Sequence, residues 1–297
     1  MEAGTRTRSV AAARRQLVAD YVQMTKPKVQ SLLLFTTVTT MYVAGNPSLG
    51  RVLLTCLGGA LSAGGAGAIN HALDRDIDAV MKRTSSRPVP SGRVSARAAI
   101  VYGVLLGCAS FALLAVTVNP LAAVLAMAGL LGYVLVYTLW LKRSTPQNIV
   151  IGGAAGAMPP LVAWAAVTGG LDGAALYLFA IVFYWTPPHF WALALLVSDD
   201  YARVGVPMLP VARGEETTRR LVVGYTLGLV AFTVLPYFTG LFGTLYLGCA
   251  LVLGAAFVAL AAILAARPSR AWALRLHLAS LAYLALLFGA MAIDRLV

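Results

Sequence analysis

Asn70, Asp74 and Asp78 recur at i, i+4 and i+8 within the stretch NHALDRDID. On a continuous helix this spacing sets three oxygen-bearing side chains on one face, with a rise of about 6 Å per step. Asp76 lies roughly 200° around from Asp74 at 100° per residue. Carboxylates this close repel, and in a partly desolvated cleft they take up protons unless cations neutralise them. A hard divalent cation fills that need: Mg²⁺ takes one or two carboxylates and completes its shell with water and phosphate oxygens. Zinc asks for His or Cys, and His71 stands alone here. The spacing therefore points to Mg²⁺ and a diphosphate. The plainer reading is a solvated helix end balanced by Arg75, Lys82 and Arg83.

A second acidic pair, Asp199-Asp200, follows an apolar run that contains Pro187-Pro188-His189. Two prolines inside such a run predict a kinked or broken helix, which a membrane tolerates where it lines a polar cavity. An imidazole within a span is by default a candidate functional group; a hydrogen-bonded structural histidine is the alternative. The two stretches share a layout of helix end, acidic residues, prolines, then Gly with Arg: Arg87-Pro88-Val89-Pro90-Ser91-Gly92-Arg93 in the first, Pro207-Met208-Leu209-Pro210-Val211-Ala212-Arg213-Gly214 in the second. This pattern suggests an internal duplication.

Two acidic sets at one face could clamp a diphosphate through metal, with cations on its oxygens. Lys26, Arg75, Lys82, Arg83, Arg87, Lys142 and Arg143 are the candidates. A diphosphate held below an apolar bundle implies a lipid diphosphate. Ionisation of an allylic diphosphate releases the anion and leaves a carbocation, which the site assists by stabilising the leaving group and by excluding water. The acceptor is then an electron-rich π system. No Ser, Cys and His cluster as a nucleophile triad would.

The elements that must position these residues are membrane helices. The chain has 297 residues, 60% of them hydrophobic and 11% charged, with a mean hydropathy of +0.81. A soluble fold of that composition would expose too much apolar surface. Nine apolar runs, near 29–45, 51–72, 97–118, 121–140, 148–168, 173–196, 220–240, 243–266 and 272–293, have about the length that crosses a bilayer. The expectation is an all-α, polytopic bundle of about nine transmembrane helices, with a cytoplasmic N-terminal arm at 1–27, poorly ordered at its start, and a single membrane domain at 28–297. If the runs alternate, all of the 23 Lys and Arg except Arg51 and Arg295 fall on one side, which the positive-inside rule makes cytoplasmic. All of the 11 acids except Asp172 and Asp294 fall there too, and that rule does not explain them. The net charge of +12 thus reads as topology; no basic–aromatic surface suits nucleic acid. Cys56, Cys108 and Cys249 lie in apolar runs and form no CxxC pair.

At these residues a resemblance becomes specific. The Asn70, Asp74, Asp78 motif resembles the first aspartate-rich motif of the intramembrane aromatic prenyltransferases, the UbiA superfamily. Four segments carry a closer likeness to its haem-farnesylating branch: MTKPKVQSLLLFTTV at 24–38, NHALDRDIDAVMKRTSSRPVPSGRVS at 70–95, TPQNIVIGGAAGAMPPLVAW at 145–164 and YWTPPHFWALALLVSDDYARVGVPMLPV at 184–211. The resemblance covers roughly residues 20–295 of the sequence. It implies farnesyl transfer from farnesyl diphosphate to a vinyl group of haem B, with addition of water, giving haem O for terminal oxidases, directly or as haem A. It makes Asn70, Asp74, Asp78, Asp199 and Asp200 the catalytic set. Metal contacts then fall to Asn70, Asp74, Asp78 and Asp200; the diphosphate contacts expected from the cations on the same side are Lys26, Arg75, Lys82, Arg83, Arg87 and Lys142, joined by Arg203 of the second motif. His189 becomes the candidate haem contact. The second motif departs from the DxxxD of the superfamily, since Arg203 and Val204 stand four residues after Asp199 and Asp200. The resemblance also implies a plasma-membrane protein with a cytoplasmic site, and association with a haem A synthase or an oxidase assembly. A quinone-type aromatic acceptor is the alternative. A transporter fits less well, because its site belongs near the bilayer midplane and these acids gather at one face.

Overall fold

A computed structural model describes residues 14–296; the start of the N-terminal arm lies outside the described residues. Nine long helices follow in order: α1 (Pro27–Ala44), α2 (Leu49–Leu73), α3 (Ala96–Thr117), α4 (Pro120–Ser144), α5 (Asn148–Thr168), α6 (Gly173–Leu196), α7 (Glu215–Phe238), α8 (Thr244–Ala266) and α9 (Arg270–Asp294). No strand occurs among the described residues. Eight of the nine, α2 to α9, are long and apolar enough to cross a membrane. The ninth, α1, is shorter and carries Lys28, Gln30 and a run of threonines. Thr36, Thr37 and Thr39 each return their hydroxyl to a carbonyl three or four residues back, at 2.8 to 2.9 Å, so these three are buried without being stranded, while the buried Thr40 hydroxyl has no partner among the described residues.

The starts of the helices follow from local chemistry. Ser48, Ser95, Asn119, Asp172 and Ser269 each accept a backbone N–H of the first turn of α2, α3, α4, α6 and α9, as N-cap residues do. Leu105, Val116, Phe238 and Val252 point outward and exposed, which a lipid-facing surface permits and a soluble one does not. Six of the eight connections are short. The two long ones, between α2 and α3 and between α6 and α7, lie at the same end of the bundle: Lys26 ahead of α1 reaches Asn70 at the end of α2, Arg143 at the end of α4 reaches Asp76, and Arg270 at the start of α9 donates to the Leu196 carbonyl at the end of α6.

Each long connection opens with a break and a six-residue helix bearing the acids, Arg75–Val80 and Ser198–Arg203. Each carries a positive-φ glycine between its prolines and the next helix, Gly92 and Gly214. The shared layout read from the sequence is thus present in both links.

Two expectations change. The prolines Pro187 and Pro188 do not break α6, which runs unbroken from Gly173 to Leu196; the break falls at Val197. The helix α2 does not run through Asp78. It ends at Leu73, and Asp74 takes φ −91° and ψ 7°. The i to i−4 bonding nevertheless passes through the break, from Asp74 N–H to the Asn70 carbonyl at 2.9 Å and from Asp78 N–H to the Asp74 carbonyl at 2.8 Å, so the expected facial register survives. The described part of the N-terminal arm is built into the fold. Residues 14–24 are helical, Asp20 pairs with Arg93 at 3.0 Å, Tyr21 stacks edge-on against Tyr102 at 4.9 Å, and Met24 is fully buried.

The helices α2 and α3 cross at glycine. A Cβ on Gly103 would sit 2.6 Å from the Gly65 carbonyl oxygen, and one on Gly65 would sit 2.6 Å from that of Gly103. Small residues at such crossings let backbones approach in lipid. Gly103→Val should therefore lower stability by about 1–3 kcal/mol through overpacking, read as a lower thermal midpoint in detergent. Gly248→Ala, on α8 where nothing lies within 4 Å, should leave the midpoint in place. Equal midpoints for the two variants would refute the close crossing.

Candidate active site

The break at Asp74 turns the end of α2 into a polar node. Asn70 donates its Nδ2 to Asp74 Oδ2 at 2.7 Å and to Thr138 Oγ1 at 3.2 Å. Its Oδ1 accepts Lys26 Nζ at 2.7 Å. Lys142 binds Asp74 Oδ2 at 2.5 Å. Arg143 spans Asp76 with both terminal nitrogens at 2.7 Å, donates to the Leu73 carbonyl, and lies 3.7 Å from Asp74 Oδ1. Arg87 meets Asp78 at 2.7 Å. Asp74 and Asp78 are buried, at 1% and 2% exposure, and the cations that reach them from other segments offset the cost of burying a carboxylate.

Local backbone delivers those cations. Lys26 is the one non-glycine residue with positive φ among the described residues, at φ 56° and ψ 54°. The left-handed conformation costs an L-residue roughly 1–2 kcal/mol; here it turns the chain from the 14–24 helix into α1 and aims Lys26 at Asn70. Burial, joined by the charge of Arg87, pushes the Lys26 ammonium down to about 8, against the pull of Asp74 and Asp78. In α4 the stretch Gly132–Leu141 is a π-helix, a distortion that often marks function. Its wider turn brings Tyr133 and Thr138 toward Lys26 and Asn70 and hands Lys142 and Arg143 to the acids. The hydrogen bonds from Arg143 hold the Asp76 carboxyl down at about 2.

The second link contributes Asp200, buried and paired with Arg203 at 2.7 Å. Tyr201 beside it is buried, and burial pushes its phenol up while Arg83 and Arg87 of the first link oppose the shift. Ile77 and Met81 of the first link share one apolar cluster with Tyr201, Val206 and Met208 of the second. The two links thus border the same apolar cluster at one end of the bundle. The remaining candidates stand at the surface: Asp199, Lys82 and Arg83 are exposed, and Arg75 donates to the Ala72 carbonyl at 3.0 Å.

A cavity of about 230 Å³ opens beside Lys26 and Tyr133. It runs between α1, α2, α4 and α5 from Lys26 to Thr37 and from Gly67 back to Thr55, a length of about 18 Å at 1.5 Å per residue. Apart from its mouth, the lining is almost entirely apolar, with Gly59, Ala63, Ala66 and Gly67 of α2 leaving the space open.

His189 sits apart from the acids, between α6 and α9. Its Nδ1 lies 2.7 Å from Ser280 Oγ. Its ring stacks on Trp185 at 4.2 Å and on His277 at 4.4 Å. His277 and Ser280 of α9, Trp185, Tyr133 and Thr138 were not singled out in the sequence. His277 and Ser280 stand 88 and 91 residues from His189 in an apolar run without a motif, so only the fold reveals them.

The donor set fits a hard cation shared with a diphosphate. Buried Asp74 Oδ1 has no hydrogen-bond partner and lies 3.7 Å from Arg143, which leaves a carboxylate oxygen available to a cation. No three His, Cys, Asp or Glu side chains among the described residues stand close enough together to hold a metal ion by themselves, so a cation here would need phosphate and water for the rest of its shell.

Comparison with known proteins agrees with this geometry. Residues 32–292 match the UbiA prenyltransferase family. The chain is 55% identical over 283 residues to the protoheme IX farnesyltransferase of Roseiflexus sp. (strain RS-1), covering 95% of this chain and 53% of that protein. It is 56% identical to that of Symbiobacterium thermophilum, covering 94% of this chain and 95% of the relative. The chain spans about half the length of several relatives it matches. Among solved structures, one described as a digeranylgeranylglyceryl phosphate synthase superimposes with a TM-score of 0.76 at 18% identity, over 94% of this chain and 98% of that one. A UbiA homologue from Archaeoglobus fulgidus bound to DMAPP and Mg²⁺ gives 0.68 at 18%, over 92% and 99%.

The Asp74–Lys142 pair can be tested directly. Lys142→Met strands a buried carboxylate and should cost about 3 kcal/mol, seen as a lower unfolding midpoint. Adding Asp74→Asn to it removes the stranded charge and should recover part of the loss. A double variant no more stable than the single one would show that the pair is not coupled.

Proposed function

Because the chain belongs to the UbiA prenyltransferase family, we propose that it transfers the farnesyl group of farnesyl diphosphate to a vinyl group of haem B, giving haem O and diphosphate. The near full-length identity of 56% to the protoheme IX farnesyltransferase of Symbiobacterium thermophilum carries this reading and favours haem over a quinone-type ring as acceptor. The geometry agrees, with a cation-lined acidic node at the mouth of an apolar cavity of prenyl character.

The residues divide the work as follows. Asn70, Asp74, Asp78 and Asp200 hold Mg²⁺, which, when bound, neutralises charge on the leaving diphosphate. Lys142 and Arg87 release Asp74 and Asp78 and turn to phosphate oxygens, joined by Lys26 and Arg203. The exposed Arg75, Lys82 and Arg83 draw the anion to this face, where Asp199 adds a solvent-facing carboxylate. The allylic C–O bond breaks and its electron pair leaves with diphosphate. Small side chains of α2 keep the farnesyl chain extended and the cation dry. The vinyl π bond attacks, forming the C–C bond, and water captures the resulting cation and loses a proton. His189 contacts the haem. This places the site at the cytoplasmic face of the cell membrane, the side that carries the cations, with the product passed to a haem A synthase or a terminal oxidase assembly.

The decisive experiment is product analysis with purified protein, haem B, farnesyl diphosphate and Mg²⁺. A haem gaining farnesyl plus water is expected; a folded, diphosphate-binding protein that yields no such haem would refute haem as acceptor. Asp74→Ala and Asp78→Ala should each lower turnover more than about 100-fold, the scale on which lost electrostatic stabilisation acts, while membrane insertion stays normal. EDTA should stop turnover and Mg²⁺ restore it; turnover that persists through thorough chelation would exclude the metal-bound diphosphate.

A further inference from the structure

We propose that Ser280 is a positioning residue that locks His189 in the tautomer whose Nε2 carries the free lone pair, making it ready to ligate the haem iron. This inference rests on the reading that His189 meets haem. The bookkeeping is that of a single proton. Ser280 Oγ lies 2.6 Å from the His277 carbonyl oxygen. A carbonyl only accepts, so the one hydroxyl hydrogen is spent there. Toward His189 Nδ1, 2.7 Å away, Ser280 then presents only lone pairs. His189 Nδ1 must supply the hydrogen, and in a neutral imidazole that leaves Nε2 bare. The tautomer with its proton on Nε2 would face lone pair to lone pair at Ser280.

Orientation is fixed as well as protonation. His189 stacks on Trp185 and on His277 with interplanar angles of 17° and 26°. The indole Nε1 of Trp185 donates to the Ser280 carbonyl at 2.8 Å, and His277 Nδ1 donates to the His189 carbonyl at 3.2 Å. These four residues thus tie α6 to α9 around one ring. With its Nδ1 edge bound and its neighbours stacked, Nε2 is the polar atom of His189 left without a hydrogen-bond partner among the described residues. A histidine that ligates metal through one nitrogen and donates the other N–H to a fixed acceptor is the usual arrangement, and loss of such an acceptor costs about 10–100-fold in affinity.

The test is titration of full-length protein in detergent with ferric haem B, read by absorption, beside a farnesyl diphosphate titration. Ser280→Ala should weaken haem binding about 10-fold or more and shift the Soret band, with farnesyl diphosphate affinity unchanged. Ser280→Thr, which keeps the hydroxyl, should restore both. The alanine variant leaves the His189 N–H without its acceptor and should lower the unfolding midpoint modestly, so the readouts that separate the lock from a structural role are the Soret shift and the unchanged farnesyl diphosphate affinity. Ser280→Ala with wild-type haem affinity and spectrum would overturn the lock. His189→Ala separates the two layers. If it alters haem affinity and spectrum while Ser280→Ala alters neither, the lock alone falls. If His189→Ala alters neither, the haem contact falls and the lock with it.

Discussion

A carboxylate at the margin of a lipid-embedded bundle survives as an anion only if cations reach it, and Asp74 is such a carboxylate. At 1% exposure it has no water shell to rely on, and the desolvation of an unpaired ion costs several kcal/mol. Three separate segments answer it: the turn before α1 through Lys26 and Asn70, the end of α4 through Lys142 and Arg143, and the link after α2 through Arg87 on neighbouring Asp78. Helices far apart in sequence are thereby pinned at one end. Under the proposed reaction, a diphosphate entering with its metal would exchange partners with the cations already gathered at these acids.

Irregular backbone is what makes the convergence possible. Asp74 interrupts α2 yet keeps the i to i−4 bonding on both sides. The π-helical turns of Gly132–Leu141 re-aim the last part of α4, and Lys26 adopts a left-handed conformation that a lysine enters only under constraint. Each is a departure from the regular helix that lipid otherwise enforces. All three sit at the charged end, where backbone groups find polar partners.

This division explains what could be read in the sequence. Apolar length located the nine helices, because hydropathy and bilayer thickness bound each run from both sides. The i, i+4, i+8 spacing located Asn70, Asp74 and Asp78, because a repeating period survives a small break. Asp200 was legible as part of an acidic pair; its burial and its bond to Arg203 were not. Proline misled at Pro187-Pro188, since in a bundle the freed carbonyls can be accommodated without ending the helix, and α6 continues. The left-handed Lys26 and the π-helical α4 had no local signal, being imposed by tertiary contacts. His189 stood out as a polar group in a span, but its partners Ser280 and His277 come from α9, and no spacing rule links residues that meet only through packing.

The helices α1, α9, α6 and α5 form a closed ring in which each packs on the next. The apolar cavity borders α1 and α5; the Trp185–His189–His277 stack bridges α6 and α9. His189 lies seven residues before the end of α6 and His277 seven after the start of α9, about 10 Å inward from the acid-bearing end. Under the proposed reaction the two substrates therefore engage different sides of one ring, the prenyl chain on one and the flat acceptor on the other, with the diphosphate at the acid-bearing end. That separation matters for a carbocation. A cation formed at that end collapses onto whatever nucleophile is nearest, so an acceptor held rigidly by its metal on a stacked, tautomerically fixed imidazole competes with water through position rather than through intrinsic reactivity. Rigid anchoring of the acceptor and dry confinement of the donor are then two parts of one requirement, which under the proposed reaction falls to α6 and α9 for the first and to the cavity between α1, α2, α4 and α5 for the second.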